Sequence, residues 1–327
     1  MLETRLQAYA SPTPGSGLEA DSEAARASPS PQLPRGVWAL MPFIVEKSRA
    51  RMAFQALVRY EHNGHVYHGN LVRRSRSGYV IERLDGDIET GFIGTDVRDV
   101  ATKLLCPLEK TPAIICLGLN YAQYAEQMNL PITTYPIVFT KPPDALSGPT
   151  DPIPVHPDAQ GQLDYEGELC VVIGRDAKNV SASDAAEYVL GYTAGNDVTA
   201  RNFQVPDASG GQYSYSKSFD GFAPIGPAIW SPAVVPDPRA LRYRTLVNGA
   251  VRQETATSDM IWSVAQVVAH LSRGTTLRRG TVVMLGTPGG VGYSRGQFLR
   301  DGDVVAVEVD GLGRIENVVS FEGLGAK

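Results

Sequence analysis

Two glutamates are the first residues whose types and spacing could perform chemistry. Glu166 and Glu168 stand two residues apart at the start of an apolar run. Residues i and i+2 of a strand share one face and lie roughly 6.5 Å apart. Carboxylates so close repel each other unless a cation or water separates them. The pair therefore indicates either a site for a hard cation such as Mg²⁺, Mn²⁺ or Ca²⁺ or two solvated acids at a strand end.

Two later residues could complete such a site. Asp197 follows a predicted strand and precedes Thr-Ala-Arg, which looks like the start of a helix, so it is either a ligand or a helix cap. Lys217 stands among aromatic residues and glycines, where it is either a fixed positive charge in a site or an ordinary surface charge. The residues alone leave both alternatives open.

Composition limits the possible classes of protein. The 327 residues are 43% hydrophobic and 20% charged, which is typical of a globular protein with enough apolar material for a large core. A net charge of -5 gives no reason to expect nucleic acid or an anionic membrane as a partner. Cys106, Cys116 and Cys170 have no Cys-x-x-Cys spacing, so we expect a reducing compartment, the cytoplasm, and no cysteine zinc site.

The chain divides into three predicted parts. Residues 1–36 are rich in Ala, Ser, Pro and Gly, and we expect a disordered tail. Residues 37–108 are predicted to form a tether and a small N-terminal β domain, with Asn63-Gly64 as a two-residue hairpin turn. Residues 109–327 are predicted to form the catalytic domain. Met41 and Met52 lie nearer the folded region, so whether residues 1–51 belong to the mature protein stays open.

The catalytic part mixes strands with a few helices. Apolar runs predict strands at 114–117, 169–173, 281–285 and 303–309. Helical spacing and capping residues predict helices at 122–128, 181–189 and 258–272. Strands outnumber helices and seldom alternate with them, so the fold class is predicted to be α+β and strand-rich, not a doubly wound sheet.

Several long segments together resemble the fumarylacetoacetate hydrolase family in order and wording. They cover roughly residues 55–321, which makes the resemblance far more specific than any one motif. The segments are GLNY at 118–121, FTKPPDALSGPTDPI at 139–153, LDYEGELCVVIG at 163–174, GYTAGNDVTARNFQ at 191–204, SKSFDGFAPIGP at 216–227, VNGAVRQ at 247–253, LGTPGGVG at 285–292 and DGDVVAVEVDGLG at 301–313.

The resemblance implies a catalytic domain of the mixed β-roll type, a homodimer and a small 2-oxo acid or dicarbonyl substrate. It also implies roles for individual residues. Metal ligation falls to Glu166, Glu168 and Asp197, catalysis to Lys217 and Thr287, and substrate binding to Tyr121, Arg201, Gln204 and Gly286. A divalent metal would make an enolate easier to form, and Lys217 would add positive charge where negative charge develops.

One departure from the family pattern concerns water activation. Many hydrolysing members carry a histidine three residues after the GLNY tyrosine and a glutamate three residues later, and this pair activates water. Those positions are Tyr124 and Gln127 in this chain, and Glu126 is displaced from Gln127 by about 100° around a helix. We therefore predict C–C cleavage of a β-diketo or 2-oxo acid, by hydrolysis or decarboxylation, with a keto–enol tautomerase or a silent metal-binding homologue as alternatives.

Two other clusters are not interpreted as sites. His62 and His65 flank the hairpin turn, and His65 and His68 are three apart on a strand, so they face opposite sides and do not predict a zinc site. The glycines at 286–292 match neither the dinucleotide fingerprint nor a P-loop. They indicate a tight turn whose backbone lies close to a ligand.

Overall fold

The computed structural model describes residues 53–323, which lie within one compact unit. Its strands, in chain order, are β1 (Ala56–His62), β2 (His65–Ser75), β3 (Gly78–Asp87), β4 (Gly91–Ala101), β5 (Leu104–Leu105), β6 (Ile114–Leu117), β7 (Val138–Lys141), β8 (Leu146–Ser147), β9 (Ile153–Val155), β10 (Leu163–Asp164), β11 (Gly167–Ile173), β12 (Ala177–Lys178), β13 (Val189–Asn196), β14 (Thr199–Ala200), β15 (Ala223–Trp230), β16 (Arg242–Val247), β17 (Ala250–Ala256), β18 (Thr276–Leu277), β19 (Val282–Met284), β20 (Val304–Val309) and β21 (Gly313–Phe321).

The helices are short. The α-helices are α1 (Ala122–Gln127), α2 (Pro206–Ser209), α3 (Val264–Leu271) and α4 (Gly292–Arg295). Single 3-10 helices span Pro143–Ala145, Pro157–Gln162, Ala185–Tyr188, Arg201–Phe203, Tyr215–Lys217 and Thr257–Asp259. None of the helices within residues 53–323 is long and apolar enough to cross a lipid bilayer. The predicted strand-rich α+β fold is confirmed.

A large mixed sheet carries the site. Its strands run in the order β4-β3-β2-β1-β15-β13-β11-β19-β6-β7, with β5 beside β1 and β8 beside β15. Strand β11 lies near the middle, antiparallel to both β13 and β19, and every one of its residues is buried. A strand covered on both faces needs a continuous apolar run, which is what residues 169–173 provide. A second sheet, in the order β17-β16-β20-β21-β9, packs against the first.

The N-terminal strands extend this large sheet. Strand β1 pairs with β15 through Ala56 and Leu57, so β1 to β4 continue the sheet that holds β11. The predicted hairpin turn at Asn63-Gly64 joins β1 to β2, with both residues at positive φ. The boundary near residue 108 between two domains stays a prediction, and the predicted tail at 1–36 lies outside the described residues.

Three helix predictions were wrong in type or extent. Residues 181–189 contain only the 3-10 helix Ala185–Tyr188, because β13 begins at Val189 and pairs there with Ile173. The segment after Asp197 first forms β14 and then a 3-10 turn instead of an α-helix. The predicted helix at 258–272 shortens to α3, which begins after Ser263 with a capping box to Gln266.

Candidate active site and metal centre

The neighbouring strands β11 and β13 bring three carboxylates together. Glu166 and Glu168 flank the first residue of β11, and Asp197 follows the last residue of β13. The pairing of Gly167 with Asn196 sets Glu166 beside Asp197, whose backbone N–H donates to the Glu166 carbonyl at 2.8 Å. Each of the three acids offers a carboxylate oxygen within 4.8 Å of the others. We call Glu166, Glu168 and Asp197 the carboxylate triad.

The triad suits a hard cation. All three side chains are buried. The Glu168 Oε2 atom accepts a hydrogen bond from the Gly286 N–H at 2.6 Å, whereas the buried Oε1 atom has no hydrogen-bond partner among the described residues. A buried carboxylate oxygen is costly unless something positive or a donor meets it. Oxygen-only ligands fit Mg²⁺, Mn²⁺ or Ca²⁺, in agreement with the cofactor class expected from the sequence.

Lys217 lies against the triad. It ends the 3-10 helix Tyr215–Lys217, and its Nζ donates to Glu166 Oε2 at 2.9 Å and to Asp197 Oδ2 at 2.8 Å. A third bond goes to the Thr199 hydroxyl at 2.7 Å. Burial alone would lower the pKa of Lys217, but Asp197 and Glu166 raise it above its usual value. The side chain is therefore a fixed ammonium group and not a base.

Lys141 is a second buried lysine at the site, and the sequence analysis did not single it out. It is the last residue of β7, and its Nζ donates to Asp197 Oδ1 and to the carbonyl oxygens of Phe222 at 2.7 Å and Val198 at 3.1 Å. Asp197 thus lies between two ammonium groups, one at each oxygen. A lysine that ends a strand within one of the quoted motifs was the available signal.

Asp164 is a further buried acid that sequence reasoning missed. It accepts hydrogen bonds from Arg201 Nε at 2.9 Å and from the backbone N–H of Gly292 at 2.7 Å. Arg201 also contacts Glu166 Oε1 at 2.5 Å and donates to Gln204 Oε1 at 2.7 Å. The structure therefore joins the two predicted substrate-binding residues, Arg201 and Gln204, to the triad. The acids at 164, 166 and 168 follow the strand period of two, which was the missed signal.

The glycine turn at 286–290 is hydrogen-bonded to the start of β11. Gly286 has a φ of +90°, and an added Cβ atom would lie 3.0 Å from Asn120 Cβ, so glycine is required there. The Thr287 hydroxyl donates to the Gly167 carbonyl at 2.8 Å and accepts from Gln253 Nε2 at 2.8 Å. This hydroxyl ties the turn to the start of β11. Its predicted catalytic role stays a prediction.

Helix α1 lies next to the glycine turn, because an added Cβ atom at Gly289 would come within 3.3 Å of Tyr124 Cδ2. Tyr121 precedes the helix, is fully buried, and accepts a hydrogen bond from the Tyr243 hydroxyl at 2.9 Å. Tyr121 therefore anchors α1, and its predicted contact with substrate stays a prediction. Tyr124 is half-buried, and burial raises its pKa, with the nearby charge of Glu166 adding to the shift. Tyr124 therefore remains a neutral phenol.

All five histidines of the chain lie elsewhere. His62, His65 and His68 are on the β1–β2 hairpin, where the pairing sets His62 opposite His65 and His68 opposite Arg59. His156 caps the 3-10 helix Pro157–Gln162, and His270 stacks on Tyr135. None of them has a hydrogen bond or ion pair to the triad among residues 53–323. The site therefore contains no imidazole that could activate water.

The triad members differ in their affinity for a proton. Burial raises the pKa of Glu168 well above its usual value, and the charges of Asp197 and Glu166 raise it further. Burial also acts to raise the pKa of Asp197, but Lys141 and Lys217 hold it below its usual value. In the absence of a cation, Glu168 is thus the acid that retains a proton and Asp197 the one that stays ionised.

A family model described as fumarylacetoacetate (FAA) hydrolase C-terminal matches residues 113–320. The chain belongs to the fumarylacetoacetate hydrolase family. It is 40% identical over 218 residues to the mitochondrial oxaloacetate tautomerase fahd2 of Xenopus laevis, covering 66% of this chain and 68% of that protein. It is 39% identical over 222 residues to the oxaloacetate tautomerase YisK of Bacillus subtilis, covering 66% and 73%.

Solved structures of this family share the fold. The 5-carboxymethyl-2-hydroxymuconate delta-isomerase of Mycobacterium smegmatis superposes with a TM-score of 0.72 at 33% identity, covering 82% of this chain and 100% of that one. The predicted family is therefore confirmed. The names of these fumarylacetoacetate hydrolase relatives describe tautomerases and an isomerase, so the similarity supports an enzyme of the family without supporting C–C cleavage in particular.

Proposed function

We propose that this member of the fumarylacetoacetate hydrolase family is a divalent-metal-dependent keto–enol tautomerase of a 2-oxo acid of the oxaloacetate type. The observation that carries the proposal is the makeup of the site. It combines a buried carboxylate triad and a fixed ammonium group with no imidazole near them. Such a site can stabilise an enolate but has no group suited to activating water at neutral pH. The printed names of the relatives agree with that chemistry.

The residues of the site have separate roles in the proposed reaction. Glu166, Glu168 and Asp197 would hold the cation, which when bound supplies Lewis-acid stabilisation of an enolate. Lys217 and Arg201 place two permanent positive charges beside the triad, where the charge of an enolate would develop. Tyr124 is a neutral proton donor, because burial and the charge of Glu166 raise its pKa. In the enol-to-keto direction we assign the Tyr124 hydroxyl as the donor of the proton that C3 gains, and the proton that the C2 oxygen loses restores the hydroxyl.

An assay of product balance tests the proposal. Oxaloacetate in its enol form is diluted into buffer with Mg²⁺, and the enol absorbance is followed together with pyruvate and CO₂. We expect the protein to accelerate the decay of the enol without pyruvate or CO₂ above the background. Release of pyruvate and CO₂ in step with the decay would instead support decarboxylation, one of the two C–C cleavage reactions predicted from the sequence, and no acceleration would favour a silent binder.

Lys217 provides the matched variants for this assay. Lys217→Met removes one of the charges beside the developing enolate, and we expect a loss of about 10²–10³-fold in kcat. Lys178→Met removes an exposed lysine of β12 and should leave kcat unchanged. Equal activity of the two variants would contradict the role given to Lys217.

A further inference from the structure

Asn120 is a fully buried amide that lies beside the glycine turn and forms no direct hydrogen bond to the triad within residues 53–323. It lies shortly after the end of β6, and Leu285 follows the last residue of β19, the parallel neighbour of β6. The ends of the two strands therefore bring Asn120 to the backbone of the turn, where its Cβ atom would lie 3.0 Å from an added Cβ atom at Gly286. A buried amide in this position needs protein partners for its polar atoms.

The partners of Asn120 fix the orientation of its amide. Oδ1 accepts a hydrogen bond from the Trp262 N–H at 2.8 Å, and Nδ2 donates to the Leu285 carbonyl at 2.7 Å. A longer bond from Nδ2 reaches the Trp262 carbonyl at 3.4 Å. A backbone N–H can only donate and a carbonyl can only accept, so these partners allow one of the two amide orientations. The donor side of Asn120 therefore faces Leu285.

One peptide group connects Asn120 to the triad. The Leu285 carbonyl and the Gly286 N–H belong to the same planar peptide, and this N–H donates to Glu168 Oε2 at 2.6 Å. A hydrogen bond received at the carbonyl polarises the peptide and makes its N–H a stronger donor. The Leu285 N–H in turn donates to the Leu169 carbonyl at 3.1 Å, which ties the same segment to β11. Asn120, the peptide and Glu168 thus form one buried chain of hydrogen bonds.

We propose that Asn120 is a positioning residue of the metal centre and acts on Glu168 through the Leu285–Gly286 peptide. The chain of hydrogen bonds holds Oε2 of Glu168 and leaves Oε1, which has no hydrogen-bond partner among the described residues, as the oxygen available to a cation. Groups that orient a metal ligand in this way typically change metal affinity by about 10–100-fold. This inference rests on the proposed function, because it requires a cation at the triad.

A matched pair of variants tests the assignment. Asn120→Asp keeps the size of the side chain and the acceptor for Trp262 but removes the donor to Leu285. Asn317→Asp is the control, because Asn317 is also fully buried and its Nδ2 donates to the Gly148 and Asp151 carbonyls at 2.9 Å each. Both variants should lower the melting temperature, since each leaves a buried carbonyl without its donor. Mn²⁺ titrations followed by electron paramagnetic resonance should give a Kd about 10–100-fold higher for Asn120→Asp and unchanged for Asn317→Asp.

Asn120→Ser is the second variant, and it tests the proposal if the aspartate at 120 prevents folding. It is neutral and too short to reach the Leu285 carbonyl, so the same rise in Kd is expected. An unchanged Kd in a folded Asn120 variant would overturn the proposal, and so would an equal rise in Asn317→Asp. A parent protein that binds no Mn²⁺, or a Glu168→Gln variant that binds it as tightly as the parent, would instead contradict the cation site of the proposed function. Because the readout is binding, it does not depend on turnover.

Discussion

At the scale of single residues, the site is a cluster of buried charges that nearly balance. When all four carboxylates are ionised, they exceed the three cationic groups by one negative charge. The proton on Glu168 cancels that charge in the absence of a cation, and a divalent cation would reverse it. The members are Asp164, Glu166, Glu168, Asp197, Lys141, Lys217 and Arg201. Buried charges are tolerated only when each is paired and hydrogen-bonded. The unpartnered oxygen of Glu168 is where that pairing is incomplete in the described residues.

Tyr124 gives a prediction for proton transfer. Tyr124→Phe keeps the ring in α1 and removes only the hydroxyl, so the fold and the metal affinity should be retained. If the phenol handles the C3 proton, kcat for tautomerisation falls by about 10²–10⁴-fold, as is typical of losing a general acid or base. Steady-state kinetics measure this, with Tyr293→Phe, an exposed residue of α4, as the control. A variant with full kcat would show that another group moves the proton.

Lys141 gives a prediction for metal affinity that is independent of turnover. Lys141→Met leaves Asp197 with Lys217 as its one remaining ammonium partner, and breaking a buried pair in this way costs about 3–5 kcal/mol. Loss of a group that orients a metal ligand typically lowers metal affinity by about 10–100-fold. Mn²⁺ titrations followed by electron paramagnetic resonance measure the affinity, and thermal unfolding measures stability. Lys178→Met should change neither quantity, and an unchanged Mn²⁺ affinity in Lys141→Met would contradict the positioning role.

The carboxylates could be predicted from the sequence, whereas their partners could not. The spacing of Glu166 and Glu168 follows from the strand period, which a sequence shows directly. Lys141 reaches Asp197 across 56 residues of chain, and Arg201 reaches Asp164 across 37, so these pairs depend on the strand order of the sheet. Periodicity carries no information about that order. The family resemblance supplied Arg201 and Lys217, but it did not draw attention to Lys141 or Asp164.

At the scale of elements, the close approach of β11 to β16 holds the triad in place. An added Cβ atom at Gly167 would lie 1.9 Å from Thr245 Oγ1, so only glycine fits between Glu166 and Glu168. The face of β11 opposite the two glutamates is filled at Gly167 by Thr245 and Val307. The sequence could not show this, since β16 lies almost eighty residues further along the chain.

Gly167→Ala should therefore damage both stability and metal binding. The extra methyl group must displace β11 or β16, and overpacking of this kind costs about 1–3 kcal/mol. Chemical denaturation measures the free energy of unfolding, and Gly94→Ala is the control because nothing lies within 4 Å of its added Cβ atom. Adding Thr245→Ala to Gly167→Ala should recover part of the loss, since the two sites share one clash. Additive losses in the double variant would argue against this packing.

Helix lengths were the least predictable part of the fold. The segment 181–189 has the serine and aspartate of a helix start, and Ser181 Oγ does accept the Asp184 N–H at 3.3 Å. The helix cannot extend past Tyr188, because strand β13 begins at Val189 and pairs with β11 from Ile173 to Gly167. Tertiary pairing outweighs a local preference that is worth only a few tenths of a kcal/mol per residue. The strands of the catalytic part were found at the predicted places, because a buried strand needs an apolar run that the sequence shows directly.

At the scale of the whole molecule, proton and metal compete for one buried site. The raised pKa of Glu168 means that its proton must leave before the carboxylate can bind a cation. Metal affinity should therefore rise with pH up to the pKa of Glu168 and level off above it. Asp197 adds nothing to the change of metal affinity with pH in that range, because its lowered pKa keeps it ionised.

Calorimetric Mg²⁺ titrations in buffers of different ionisation enthalpy measure this linkage. We expect up to about one proton released per ion at a pH below the pKa of Glu168 and fewer at a pH above it. Glu168→Gln, which has no proton to lose, should show weaker binding and no pH slope. Proton release that grows with pH would contradict the assignment of the proton to Glu168.

The large sheet and the site belong to one compact unit. We propose that the enolate chemistry of this unit depends on a cation held by Glu166, Glu168 and Asp197. The most direct test is to strip the protein with a chelator, titrate Mg²⁺ back, and follow both bound metal and the decay of enol-oxaloacetate. We predict that activity rises in proportion to one bound ion per chain, without pyruvate or CO₂ above the background. Full activity in the stripped protein, or Mg²⁺-dependent release of pyruvate, would contradict it.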